Sequence, residues 1–149
     1  MICTIAQLFG ANANPLYAGY GLKGHPGEDV TCGYGTPIEC PLDMYVYKII
    51  DDKPPANDGT GYWNICGIAE YKGQWGELSV GHPSRVDVPI GSVSKGQILG
   101  AEGNHGQVYS GAIEITKAMQ DAGDLRGAHR HWQWRPLNKV KQSSGKIPR

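Results

Sequence analysis

Glycine and proline set the frame for this chain: 22 and 10 of its 149 residues. Together they make about one residue in five a turn former, above the ~12% of average chains and below the ~25–30% of low-complexity ones. Elements between such residues are short. The composition therefore suits a mostly β domain with many turns, and it excludes a coiled coil, a helical bundle and collagen. With 40% apolar and 19% charged residues, the chain can build a core. Its length fits one domain of ~100–200 residues. No repeat or linker divides it. One domain is expected over 1–138, followed by a polar tail over 139–149.

Fourteen basic residues balance fourteen acidic ones. The tail from Lys139 to Arg149 is only mildly positive, so no nucleic-acid partner is indicated. No apolar stretch approaches the ~18–20 residues of a membrane span. The start, Met1-Ile2-Cys3-Thr4, carries no basic segment of a secretory signal. The chain is then a fragment, leaves the cell by another route, or stays inside. The four cysteines, Cys3, Cys32, Cys40 and Cys66, form no C-x-x-C pair, which argues against a thiolate zinc knuckle. Cys40 and Cys66 fall in strand-like runs and read as buried small hydrophobes. A disulfide such as Cys32 with Cys40 is open but not dictated by sequence.

Met44 to Ile50 is β-branched and aromatic and reads as a strand. A polar loop follows from Asp51 to Gly61. Tyr62–Tyr71 and Trp75–Val80 read as a hairpin closed around Lys72-Gly73-Gln74. Gln97–Ala101 and Ala128–Arg135 read as further strands. One short helix is expected over 112–122, with Ile115, Ala118, Met119 and Ala122 at helical spacing, Ser110 as cap and Gly123 as stop.

The five histidines carry the chemistry: His25, His82, His105, His129 and His131. His129 and His131 lie two apart on a strand, so both imidazoles share one face, ~6.5–7 Å apart, while Arg130 and Trp132 face away. Such a pair supplies two metal ligands, or one ligand and one base. His25 and Asp29 are separated by three residues in a Gly/Pro-rich loop. Two imidazoles and a carboxylate suit zinc with an open position for water. His25, Asp29 and either His129 or His131 would make that set. His82, at the end of a β run, is a candidate acid/base or oxyanion donor. A lone histidine is ordinarily a surface residue, and His105 in Gly103-Asn104-His105-Gly106 reads as a turn residue.

Six segments in order resemble the lysostaphin-type, LytM-like zinc endopeptidases of bacterial peptidoglycan. Phe9-Gly10 with Asn14-Pro15 is similar to that family's lead-in. Gly24-His25-Pro26-Gly27-Glu28-Asp29 is similar to its H-x-G-x-D motif. Gly35-Thr36-Pro37-Ile38 and Gly81-His82-Pro83-Ser84 follow. Then come Lys95-Gly96-Gln97-Ile98-Leu99-Gly100 with Gly103-Asn104-His105-Gly106, and Ala128-His129-Arg130-His131-Trp132 in place of the H-x-H strand. The resemblance covers about Phe9 to Arg135. It implies an antiparallel β-sheet groove of the duplicated hybrid motif type. It makes His25, Asp29 and His131 the ligands of one Zn2+ per chain, and His82 and His129 the catalytic pair. It leaves open which of those two deprotonates the water. It implies a monomer that hydrolyses peptidoglycan peptides at the cell wall; the lack of a visible export signal fits a phage lysin, a virion-borne lytic module or a domain cut from a larger protein. Glycine bridges and D-amino-acid cross-links both fit such a groove.

The chain departs from the pattern at Arg130, where an aliphatic residue is usual, so Arg130 is exposed or finds an acidic partner. Trp132-Gln133 replaces Phe-Glu. About a dozen residues are inserted between Asn104 and His129, expected to build a groove wall. Rival readings are a non-catalytic relative that binds cell wall or activates an amidase, a sugar-phosphotransfer domain using facing histidines, and an interaction module. Filled ligand positions argue against the first. Asp29 and the H-x-H pair argue against the second.

Overall fold

A computed structural model describes residues 2–8, 11, 25–50, 64–106 and 108–137. The expectations at Phe9-Gly10, Asn14-Pro15 and Gly24, the loop from Asp51 to Gly61, Tyr62, and the tail from Lys139 lie outside these residues.

The described chain forms twelve strands and one helix. The strands are β1 (Thr4–Gln7), β2 (Glu28–Thr31), β3 (Pro37–Glu39), β4 (Met44–Ile50), β5 (Asn64–Tyr71), β6 (Gln74–Gly81), β7 (Pro83–Val86), β8 (Gly91–Val93), β9 (Ile98–Glu102), β10 (Val108–Ser110), β11 (Ile113–Ile115) and β12 (Arg130–Pro136). The helix is α1 (Lys117–Asp121). β5 and β6 form the expected hairpin, paired from Asn64↔Gly81 to Tyr71↔Gln74. Its two loop residues, Lys72 and Gly73, have φ of 51° and 76°. That is the primed turn whose twist matches the flanking strands.

The strands assemble into a seven-stranded sheet of order β1-β2-β12-β6-β5-β4-β8, a three-stranded sheet β3-β9-β7, and the hairpin β10-β11, all antiparallel. Alternation divides the large sheet into two faces. Met44, Val46, Ile65, Ala69, Leu78 and Val80 join Trp132 and Trp134 on one face and pack on Ile38, Leu99 and Val86 of the small sheet. Each fully buried Ile, Leu or Val stabilises the pair of sheets by ~1.5–3 kcal/mol. The other face carries Asp29, His131, Gln133, Ser79, Arg135 and Glu77, level with one another in the ladders. On it, Arg135 Nη2 donates to Glu77 Oε1 at 2.8 Å, and the Tyr47 hydroxyl donates to Glu77 Oε2.

Three expectations are corrected. The helix over 112–122 shrinks to Lys117–Asp121, with no buried residue. Ile113 and Ile115 alternate instead on β11, and Gly111 at φ 61° turns the chain back onto β10. Ile115 is buried from a strand, so its place in the helical spacing is coincidental. The cap is Thr116, whose Oγ1 accepts from Met119 N–H at 3.3 Å, not Ser110. Gly123 does end the helix, at φ 91°. Second, Cys32 bonds to Cys3 rather than to Cys40. The ladder pairing Thr4↔Thr31 brings the next residues, Cys3 and Cys32, together, whereas Cys40 is buried with its thiol donating to the Leu42 carbonyl. Third, Asp29 lies on β2 and not in a loop.

Arg130 finds its acidic partner in Glu102, which is fully buried, with Nε to Oε2 at 3.0 Å. Glu102 also accepts from the Cys32 and Gly33 amides at 2.9–3.1 Å. It thereby ties β9 to β12 and to the end of β2. Glu102→Ala leaves the half-satisfied Arg130 guanidinium without its countercharge. The expected loss of unfolding free energy is about 3–5 kcal/mol, read by urea titration. A loss below 1 kcal/mol would show that this pair holds nothing together.

Candidate functional site

β12 lies between β2 and β6, and His131 is level with Asp29 on one side and Gly81 on the other. This register brings residues from both halves of the chain together. Asp29 Oδ1 lies 2.8 Å from His131 Nδ1 and 3.2 Å from His25 Nε2, and the two imidazole nitrogens are 3.2 Å apart. The donor atoms of these three residues lie within 4.8 Å of one another. A tetrahedral cation bound at ~2.0–2.1 Å spaces its ligand atoms about 3.3–3.4 Å apart. The observed separations are close to that, and two nitrogens with one carboxylate oxygen are a borderline donor set that suits zinc. The expected set His25, Asp29 and His131 is thus the one that converges, and His129 Nε2 stands farther off, 3.7 Å from Asp29 Oδ1.

His129 and His82 flank the cluster. Their ring centroids are 4.5 Å apart, and His82 lies 6.4 Å from the His131 ring. His82 occupies the corner where the chain leaves β6 in the large sheet for β7 in the small one. Its φ is 66°, a left-handed conformation that costs a non-glycine residue about 1–3 kcal/mol. The corner aims its ring at His129. Gly103 packs against it: a Cβ there would lie 2.5 Å from Ser84 N and 2.8 Å from His82 O. Gly103 also bridges to His129, whose N–H donates to its carbonyl at 3.1 Å.

Main-chain carbonyls orient three of the rings. His25 Nδ1 donates to Leu8 O at 3.2 Å, His129 Nδ1 to Gly127 O at 2.7 Å, and His82 Nδ1 to His105 O. A carbonyl only accepts, so in each neutral ring the proton sits on Nδ1 and the lone pair on Nε2. His105 contributes its carbonyl to the site, and its expected turn lies between β9 and β10. Asn104 fixes the neighbouring loop by donating to Asp124 O and Arg126 O at 2.8 and 3.0 Å.

Sequence reasoning missed these orienting carbonyls and the reason for Gly27. A Cβ on Gly27 would strike the Trp132 carbonyl and come within 2.8 Å of His131 Nε2. The glycine of H-x-G-x-D lets the loop approach β12 closely enough for His25 and Asp29 to reach one point.

Burial disfavours the charged form of two of these rings, His82 and His25. Burial pushes His82 down to about 3, helped by the neighbouring His129. Burial also lowers His25, partly opposed by the Asp29 charge. Burial alone would raise the Asp29 carboxyl. The His131 hydrogen bond and the charges of His129, His131 and His25 outweigh it, and the carboxyl falls below its ordinary value.

No protein-family model and no curated protein sequence matches the chain. Solved structures do. The chain is similar to LytU, with a TM-score of 0.60 and 25% identity, over 91% of this chain and 75% of that one. It is similar to the catalytic domain of the prophage-encoded M23 protein EnpA from Enterococcus faecalis, with a TM-score of 0.57 and 20% identity, over 90% and 81%. It is similar to the catalytic domain of the antimicrobial peptidase lysostaphin from Staphylococcus simulans, with a TM-score of 0.52 and 23% identity, over 76% and 68%. No helix among the described residues is long and apolar enough to cross a membrane. The antiparallel architecture expected from the sequence is present, and the chain has the fold of the LytM/lysostaphin-like M23 peptidases.

Proposed function

We propose that the chain is a zinc-dependent endopeptidase that hydrolyses peptides of bacterial peptidoglycan, acting as one domain over 1–138 and as a monomer at the cell wall. The observation that carries the reading is the convergence of His25 Nε2, Asp29 Oδ1 and His131 Nδ1 beside two further imidazoles. His25, Asp29 and His131 would hold one Zn2+. The ion supplies an electrophile for the scissile carbonyl and acidifies water near neutral pH.

The other residues handle protons. His82 stays neutral down to about pH 3, so at neutral pH it accepts a hydrogen bond through Nε2 and orients the attacking water. Proton transfer falls to His129, whose Nδ1–H is pinned to Gly127 O and whose Nε2 faces the cluster. His129 takes the proton from the nucleophile and returns it to the leaving amine. A non-catalytic cell-wall-binding relative is the alternative, and turnover separates the two.

Asp29→Ala and His131→Ala should each abolish zinc retention, measured by metal analysis after dialysis, together with lysis of purified peptidoglycan. Full activity in Asp29→Ala would remove it from the ligand set. His129→Ala should keep the metal and lose ~10²–10⁴-fold in turnover, followed by mass spectrometry of the released muropeptides. Loss of metal in that variant would exchange the roles of His129 and His131. A third expectation concerns pH. The folded His82 value is depressed below the ordinary 6.5, so its contribution to stability is complete above about pH 6.5 and is lost as pH falls from there toward 3. The urea midpoint of the metal-free chain should fall between pH 7 and pH 5. It should fall less in His82→Asn, which tolerates the left-handed backbone but does not titrate. An equal fall in both would show that His82 is not held neutral.

A further inference from the structure

β1 is an edge strand that brings nothing to the core. Among the described residues it pairs only with β2, its register breaks between Ile5 and Gln7, and Thr4, Ile5 and Ala6 are exposed. A four-residue edge strand with no buried side chain is marginal on ladder hydrogen bonds alone. The Cys3–Cys32 disulfide closes one end of this ladder, next to the Thr4↔Thr31 pair.

The other end of β1 reaches the ligand cluster. Gln7 is level with Asp29. Leu8, the next residue, gives its carbonyl to His25 Nδ1 at 3.2 Å and to Ala11 N at 3.1 Å, and Ala11 O accepts from His25 N at 3.0 Å. The Leu8 carbonyl fixes both the tautomer and the angle of the His25 ring. A mechanical path thus runs from the disulfide, along a strand with no buried side chain, to a ring facing Asp29 and His131.

We propose that the Cys3–Cys32 disulfide is the clamp that positions His25, so that the oxidised chain holds its metal tightly and the reduced chain holds it weakly. The inference rests on the reading of His25, Asp29 and His131 as ligands. Reduction by a water-soluble phosphine breaks the S–S bond. The phosphorus is oxidised to the phosphine oxide with the oxygen of water, and the two sulfurs take up two protons as thiols. Cys3 is exposed and Cys32 half-buried, so the bond is open to reductant. Cys40 and Cys66 are buried, and burial pushes the Cys66 thiol up to about 11, which keeps both out of thiol exchange. Once the bond is open, β1 frays, the Leu8 carbonyl leaves His25, and the ring samples both tautomers. Loss of the outer hydrogen bond on a metal-ligating histidine costs about 10–100-fold in affinity. The clamp would tie metal retention to the oxidising conditions in which disulfides persist, outside the cytosol.

The test is zinc affinity of the full chain by competition with a zinc-binding dye, with and without phosphine, which avoids chelation by thiol reductants. Wild type should weaken about 10–100-fold on reduction and recover on reoxidation. The double variant Cys3→Ser/Cys32→Ser should show the weak value in both conditions, with no thiol available to bind metal. Two readouts separate positioning from general support. Near-UV circular dichroism of the tryptophans should not change on reduction. Nitrogen NMR of the metal-free chain should show His25 protonated on Nδ1 when oxidised and as a tautomer mixture when reduced. Reduced affinity within twofold of the oxidised value overturns the clamp, as does loss of the tryptophan signal, which would mean the bond holds the whole fold. An oxidised chain that binds no zinc overturns the ligand reading itself.

Discussion

The register of β12 is the constraint on which the site depends. With His131 level with Asp29 and Gly81, His129 and His131 face one way and Arg130, Trp132 and Trp134 the other. A slip of one residue would exchange those sets, because strand side chains alternate. Both sets resist the exchange. Trp132 and Trp134 pack on the core, and Arg130 meets the fully buried Glu102. The chemistry of one face is therefore held in place by the packing of the other. The unusual Arg130 belongs to that scaffold, since its partner also secures the amides of Cys32 and Gly33 at the end of β2.

Around that strand, the backbone does most of the aiming. His25, His82 and His129 each give their Nδ1 proton to a carbonyl from a different stretch of chain. Rings so arranged, in their neutral form, turn their Nε2 lone pairs into a small volume beside one carboxylate. Burial disfavours protonation of His82, and the neighbouring imidazoles add to the effect. The strained corner at His82 and the side-chain-free positions Gly27 and Gly103 are what such crowding requires of the main chain.

Much of this was legible in the sequence because period and spacing survive in the strands. Met44–Ile50 and the hairpin around Lys72-Gly73 follow local rules, and alternation alone placed His129 and His131 on one face. What local rules could not reach was pairing between distant segments. Neither β1 nor β2 has a strong strand signature, and each forms because its neighbour does; Cys3 meets Cys32 for the same reason. The segment after Ser110 misled because Ile115, Ala118, Met119 and Ala122 fit a helical period while Gly111 and the alternating isoleucines favour a hairpin. The orienting carbonyls leave no mark on the sequence, since any residue supplies one.

The polar face of the large sheet has a second half, away from the imidazoles, where Tyr47 and Arg135 meet Glu77 beside Cys66. Burial and the Glu77 contact raise the Tyr47 phenol above its ordinary value, and burial raises the Cys66 thiol to about 11. Neither group releases its proton across the neutral range. That end of the floor thus offers a phenol and a thiol that stay protonated. A bound chain lying along β12 would pass from the imidazole of His131 to two permanently protonated groups some four residues further on.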